Sequence, residues 1–313
     1  MITAILGGAG FIGTNLVENL QRQHNSEIAI FDNFSMRNQL SRIENRSLRI
    51  VQGNMASLRD LGNFLQEIKP DRIYHFVANS DIASASLNPN IDILNTFSTT
   101  INLINCLRVS QAQEVIFASS SAVYGEHNGK ISEETPFSPL SSYGWMKAAS
   151  EVALQAAVDA GLMDRLLVAR FPNVTGKFQT HGVVFDLVNK LRLSKAYLDV
   201  LGNGYQNKPY LAADKLVEVI GELLVLNWKQ SLVVNIAPED RIDVRTIVRL
   251  ILEYSGESLP VNYQATPRGW IGDIPSYELE THRLRELLPN LVLPSSKESI
   301  LQGIRYMWDD YEL

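Results

Sequence analysis

A single cysteine, Cys106, leaves this 313-residue chain with no second thiol to pair inside the molecule. A disulfide framework is therefore excluded, and a reducing compartment is expected. Cys106 lies in an apolar helical pattern, where a thiol acts as a small core residue. Basic side chains are in deficit, 28 against 34 acidic, giving a net charge of −6 without a dense Lys/Arg run. That balance argues against nucleic acid as a main partner. No apolar run reaches the roughly 20 residues of a spanning helix, so no membrane association is expected. The first 17 residues carry no charge, yet no Lys or Arg precedes Arg22 and glycines interrupt the apolar stretch. A secretory signal needs a basic start and an unbroken apolar core, so the expected location is the cytoplasm. No Cys/His/Asp spacing suggests a metal site. Internal repeats and low-complexity segments are absent too. What remains is a chain with 45% hydrophobic residues, able to bury a large core.

The first thirty-odd residues carry the strongest signal. An apolar run, Thr3 to Leu6, leads into glycines at 7, 10 and 13, then a helix pattern, then a second apolar run, Ile28–Phe31, ending in Asp32. An acid about 20 residues past the last glycine is the spacing of a dinucleotide-binding βαβ unit. Gly7 permits the tight turn, Gly10 lets backbone approach a pyrophosphate, and Gly13 lets the helix pack against the strand. The helix N-terminus favours the anion. Asp32 would accept from both ribose hydroxyls and repel a 2′-phosphate, which favours NAD over NADP.

Strand-like and helix-like segments alternate onward: strands at 48–53, 72–78, 114–119 and 165–171, helices at 58–68, 90–109 and 143–160. Such βα repeats predict an α/β fold with a doubly wound parallel sheet. Beyond Phe171 glycines and prolines break the rhythm, although 214–226 reads as helix and 232–237 as a strand able to rejoin the sheet. The expected division is a dinucleotide-binding domain, 1–170 plus about 211–237, and a smaller discontinuous lobe, 171–210 plus about 238–313.

A second constellation is Ser142-Tyr143-Gly-Trp-Met-Lys147, opening a helix. Tyr and Lys four apart share a helical face, and an ammonium beside a phenol favours the phenolate, a base near neutral pH. Upstream, Phe117-Ala-Ser-Ser-Ser-Ala-Val-Tyr-Gly125 puts hydroxyls at the end of a strand, where open α/β sheets bind ligands. His75, ending a strand, reads as structural.

These motifs resemble those of extended short-chain dehydrogenase/reductases that act on nucleotide sugars, above all the UDP-galactose 4-epimerases and their relatives, over nearly the whole chain. The resemblance implies NAD as cofactor and a nucleotide sugar, UDP-linked, as substrate. It makes Ser120, Tyr143 and Lys147 the catalytic residues. Cofactor contacts fall on Gly7, Gly10, Phe11, Ile12, Gly13, Asp32, Asn33, Asn54, Met55, Val77, Ala78, Asn95, Tyr143, Lys147 and Phe171. Substrate contacts fall on Ser120, Ser121, Tyr143, Asn173, His181, Lys208 and Arg268, with Lys208 and Arg268 on the diphosphate. For His181, contact through backbone and through imidazole both stay open. The long helices around 90–109 and 143–160 would pair across a two-fold axis in a homodimer.

Several positions depart from the family pattern: Asn54 stands where an acid is usual, Ser98 for a glycine, Ala212-Ala213 for His-Val and Phe178 for an arginine. Lys177 is expected to be a solvent-exposed lysine. Dehydratases of this family carry an Asp-Glu pair after the catalytic Ser/Thr, and Ser121-Ala122 cannot do that work. Decarboxylases usually place a glutamate at the Ala122 position. The expected activity is therefore epimerisation of a UDP-hexose at C4 through a 4-keto intermediate. Two alternatives stay open: an NDP-4-keto-sugar reductase, and a non-catalytic family member that binds NAD. Glucose, N-acetylglucosamine and glucuronate series are not distinguished.

Overall fold

The computed structural model describes residues 1–23, 27–36, 38–43, 48–85, 87–194 and 196–310. Its centre is a seven-stranded sheet whose strands are β1 (Ile2–Leu6), β2 (Glu27–Asp32), β3 (Leu48–Gln52), β4 (Arg72–His75), β5 (Glu114–Ala118), β6 (Arg165–Arg170) and β7 (Gln230–Asn235). Every pairing is parallel, in the order β3-β2-β1-β4-β5-β6-β7. This is the doubly wound arrangement predicted from the alternating pattern. The order reverses between β1 and β4, so the crevice outside the carboxyl ends of those two strands is where such a sheet takes a ligand.

Strands buried on both faces require cover on both. On one side lie α1 (Phe11–Gln23) and, later in the chain, Ala213–Leu224, closing a core that includes Ile5, Leu16, Ile30, Ile116, Leu167, Leu216 and Ile220. On the other side α2 (Leu58–Ile68), α3 (Ser98–Ser110) and α4 (Ser142–Asp159) close a second core around Leu6, Phe31, Phe64, Leu103, Phe117 and Leu154. Cys106 is buried there, as its apolar setting predicts. A third core gathers Phe178, Val184, Leu198, Tyr210, Ile247 and Met307, from the segments that follow β6 and β7.

The helix expected over 90–109 is not one regular helix. A short turn, Asn90–Asp92, passes into a five-residue π-turn, Ile93–Phe97, before α3 begins. The wider turn changes which residues face inward, and Thr96 is the one it buries. Among the described residues no helix is long and apolar enough to cross a membrane.

Candidate active site

The glycine loop joins β1 to α1, and each of its three glycines meets a different demand. Gly7 has φ +84°, and a Cβ there would lie 3.1 Å from both the Val77 backbone nitrogen and its Cγ2. The turn after β1 is thereby pressed against the segment after β4, which carries Val77 and Ala78. A Cβ on Gly13 would stand 2.2 Å from the Gly7 carbonyl oxygen, so the helix meets the turn with no room for a side chain. Gly10 differs: a Cβ there would meet only the Gly7 carbonyl, at 3.5 Å. Open space beside bare backbone at a helix N-terminus is a cradle for an anion. Phe11 is buried at the start of α1, with Ile12 partly buried behind it.

Asp32 closes the loop from β2. One carboxylate oxygen accepts the Ala9 N–H at 2.9 Å and the other the Phe34 N–H at 2.8 Å. Each oxygen keeps a second lone pair, so the carboxylate braces the loop and still has acceptor capacity. Asn33 is exposed and turns its amide oxygen to the Ser35 N–H. Asn54 is likewise exposed, accepting from the Ala56 N–H, while Met55 is buried.

At the end of β5 the chain reaches Ser119, Ser120 and Ser121, and the three hydroxyls go three ways. Ser119 donates to the buried Glu151 carboxylate, and Ser121 donates to the Tyr277 hydroxyl at 2.9 Å. Ser120 caps the 3-10 turn Ser121–Val123, its oxygen accepting the Ala122 N–H at 3.1 Å. The same hydroxyl acts on the Tyr143 phenol, favouring its ionised form.

Tyr143 arrives there because α4 starts close by. Ser141 caps the helix, its side chain accepting the Gly144 N–H at 3.2 Å. A Cβ on Gly144 would lie 2.6 Å from the Ala122 carbonyl oxygen, so only glycine lets the first turn of α4 rest on the serine turn. Lys147, one turn on, is 1% exposed, donates to the Ala118 carbonyl at 2.6 Å, and stands 5.8 Å from the Tyr143 ring centre. Burial pushes its ammonium down to about 7, opposed by the negative charge of Glu151. Burial pushes the Tyr143 phenol upward; the Ser120 hydroxyl opposes that shift and the Asp92 carboxylate adds to it. Beneath them His75 is fully buried, with Nε2 2.9 Å from the Thr100 hydroxyl. Desolvation first, then the charge of Lys147, lowers it to about 3, so it stays neutral and structural.

A hydroxyl, a phenol and an ammonium thus converge beside a glycine-lined anion cradle. A model of the NAD dependent epimerase/dehydratase family matches residues 3–237. The chain belongs to that family. Along its length it is 26% identical to a Bacillus subtilis (strain 168) protein described as an uncharacterized UDP-glucose epimerase, YtcB, over 323 residues and 98% of both chains. It is also 26% identical to a UDP-glucose 4-epimerase of Azospirillum brasilense over 305 residues, 91% of this chain and 85% of that one. A solved UDP-galactose 4-epimerase superposes with a TM-score of 0.85 at 27% identity, over 97% of each chain. A UDP-glucuronic acid 4-epimerase from Bacillus cereus, solved with UDP-glucuronic acid and NAD, shares the fold, with a TM-score of 0.88, 22% identity and coverage of 99% and 100%. The residues of this epimerase/dehydratase family member fit the family's cofactor, NAD. Gly10 leaves room at the cradle, and Asp32 lies at the end of the neighbouring strand.

The other expected site residues are brought together only in part. Lys208 and Arg268 meet at one acid: Lys208 pairs with the Asp273 carboxylate, and Arg268 donates to the Asp273 backbone carbonyl at 2.7 Å while pairing with Glu126 at 2.7 Å. Phe171 is buried at the end of β6, and Asn173 is exposed in the short strand Asn173–Thr175. The His181 ring packs edge-on to Phe11, centroids 6.0 Å apart, which places it against the glycine loop.

Asn95 is exposed in the π-turn, and the neighbouring Thr96 points inward, its hydroxyl accepting the Asn79 N–H at 3.1 Å. The π-turn accounts for this, because one extra residue in a turn moves the inward position along the chain. Phe178, with φ +65°, is buried in the third core against Tyr306. Lys177 keeps 41% of its side chain exposed and pairs with Glu18 of α1 at 2.5 Å.

Three participants carry no signal recognised in the sequence. Glu151 forms a buried ion pair with Arg170 (2.6 Å), which also donates to the Tyr124 hydroxyl at 2.9 Å. The spacing 143, 147, 151 marks one helical face, so Glu151 was within reach of the same periodicity argument. Tyr277 and Asp92 come from distant segments, and only the fold brings them to the site.

Proposed function

We propose that this chain catalyses NAD-dependent epimerisation of a nucleotide sugar, a UDP-hexose, at C4 through a transient 4-keto sugar. The observation that carries this reading is the convergence of Ser120, Tyr143 and Lys147 at the sheet edge that also carries the glycine loop. Tyr143 takes the proton of the C4 hydroxyl as it ionises and returns it when the ketone is reduced. Ser120 donates to the same oxygen and orients it, while the Lys147 ammonium favours the phenolate. When bound, NAD would supply the redox chemistry, as reversible acceptor of the C4 hydride. Asp32, the glycine loop and Phe171 hold the cofactor in this reading, and segments 171–210 and 238–313 hold the sugar nucleotide, with Lys208 and Arg268 on its diphosphate.

What stands next to Ser120 favours epimerisation over elimination. Dehydration needs an acid and a base there, whereas Ser121 is engaged with Tyr277 and Ala122 has no functional group. We also propose a homodimer through α3, the π-turn and α4. Leu94, Trp145 and Val152 on these segments are 55%, 51% and 59% exposed, and burial in a four-helix contact accounts for large apolar side chains in such positions.

The test is a panel of UDP- and dTDP-sugars followed by NMR without added nucleotide cofactor. The expected result is a C4 epimer formed by the parent, with turnover lowered by about 10² or more in Tyr143→Phe. Near-parental turnover in Tyr143→Phe, or product formed only with added NAD(P)H, would defeat the reading.

A further inference from the structure

The first turn of the catalytic helix rests on a buried carboxylate that the reaction above does not use. Asp92 is fully buried at the point where the short turn Asn90–Asp92 enters the π-turn Ile93–Phe97. One of its oxygens accepts the Asn79 side-chain N–H at 2.8 Å; the other accepts the Ser142 hydroxyl. Ser142 is the residue before Tyr143. Asn79 belongs to the segment that follows β4, next to Val77 and Ala78, and its backbone N–H is bound by Thr96 of the π-turn. Residues 92–96 therefore clasp both the start of α4 and the loop bordering the crevice. Hydrogen bonds to buried carboxylates are stronger than neutral ones, so this clasp fixes relative position well.

The hydrogen-bond donors to Asp92 are both neutral, and its negative charge faces the Tyr143 phenol, opposing ionisation. The other groups around that phenol are few. Lys147 stands below it on α4, Ser120 donates from the serine turn, and neutral His75 lies beneath Lys147 on β4. Glu151 acts on Lys147 from the next turn of α4.

We propose that Asp92 is a positioning residue: through Ser142 it fixes where Tyr143 stands, through Asn79 it ties that place to the loop after β4, and its charge faces the phenol. The proposal rests on the reading of Tyr143 as the proton-transfer group. It adds a carboxylate whose charge works with burial to disfavour the phenolate.

The experiment reads Tyr143 directly. Phenolate ultraviolet absorbance is titrated in the NAD-loaded protein, as the difference between each protein and its Tyr143→Phe partner. Asp92→Asn keeps the shape and removes the charge; the ionisation midpoint is expected to fall by roughly 0.5–1 unit. Ser142→Ala keeps the charge and cuts the tether; the midpoint is expected not to fall, while kcat drops about tenfold with KM little changed. A midpoint unmoved by Asp92→Asn overturns the proposal whatever happens to turnover, and so does a parental kcat in Ser142→Ala. If Asp92→Asn fails to fold, the Ser142→Ala arm still decides. A parent that turns over no nucleotide sugar defeats the functional reading alone, because the absorbance titration needs no turnover.

Discussion

Lys147 and His75 are neighbours in a buried cluster, and burial moves both in the same direction. The lysine titrates near 7 instead of 10.5, and the histidine near 3 instead of 6.5. A base whose folded pKa lies below its unfolded one takes up its proton later when folded, so stability rises with pH across the interval between the two values. For His75 that window is about 3 to 6.5, and for Lys147 about 7 to 10.5. Urea unfolding of the ligand-free protein should therefore show stability climbing through both windows. His75→Gln should flatten the lower slope, worth up to about 3 kcal/mol at pH 4, and Lys147→Met the upper one. Above about pH 10.5 the slope reverses, because the buried phenols of Tyr74 and Tyr124, raised to about 12, resist an ionisation that the unfolded chain undergoes freely. An unchanged slope below pH 6.5 in His75→Gln would show that the histidine is not held neutral by the fold.

At the scale of elements, the glycine loop separates what the fold needs from what a ligand needs. A methyl on Gly13 collides with the Gly7 carbonyl, which is backbone and cannot step aside, whereas a methyl on Gly10 meets ordinary contact. Gly13→Ala should cost about 1–3 kcal/mol in unfolding free energy. Gly10→Ala should leave the melting temperature unchanged while weakening NAD binding at least tenfold, read by calorimetric titration. Equal melting temperatures for the two variants would refute this division. The same elements show what periodicity can and cannot carry. Glycines, strand ends and the Tyr143–Lys147 face were legible because spacing alone places them. The interruption at Ile93–Phe97 was not legible because a π-turn leaves no mark in a pattern read at 3.6 residues per turn. Asp92, between two isoleucines, looks like any polar residue on an amphipathic helix. Its burial depends on Asn79 and Ser142, which lie 13 residues before it and 50 after it.

For the molecule as a whole, the seven-stranded sheet and its crevice followed from the alternation of apolar runs. The third core, built after β6 and β7, was legible only as broken rhythm, because short strands and loops carry little period. Its partners are fixed by distant contacts such as Lys208 with Asp273 and Lys177 with Glu18. The proposed dimer gives a prediction at this scale. Trp145→Glu with Val152→Glu should convert a two-chain species to a single chain by sedimentation, with the far-ultraviolet spectrum retained. A parent that sediments as a single chain would refute the dimer.

One feature bears on how the protein matures. Arg170 ends β6, but the network it anchors through Tyr124 is completed by Asn235 of β7, whose side chain accepts from the Tyr124 hydroxyl at 2.7 Å and donates to the Ile131 and Glu280 carbonyls. A chain emerging from the ribosome presents Tyr143 and Lys147 long before residue 235, and longer still before residue 280. Until then Glu151 and Arg170 lack their surroundings, and the strand end bearing Ser120 lacks its flank. The N-terminal half can collapse early as a unit, but its reactive centre is assembled last. Truncation ahead of Glu280 should accordingly silence chemistry whose hydroxyl, phenol and ammonium all lie in the first half of the chain.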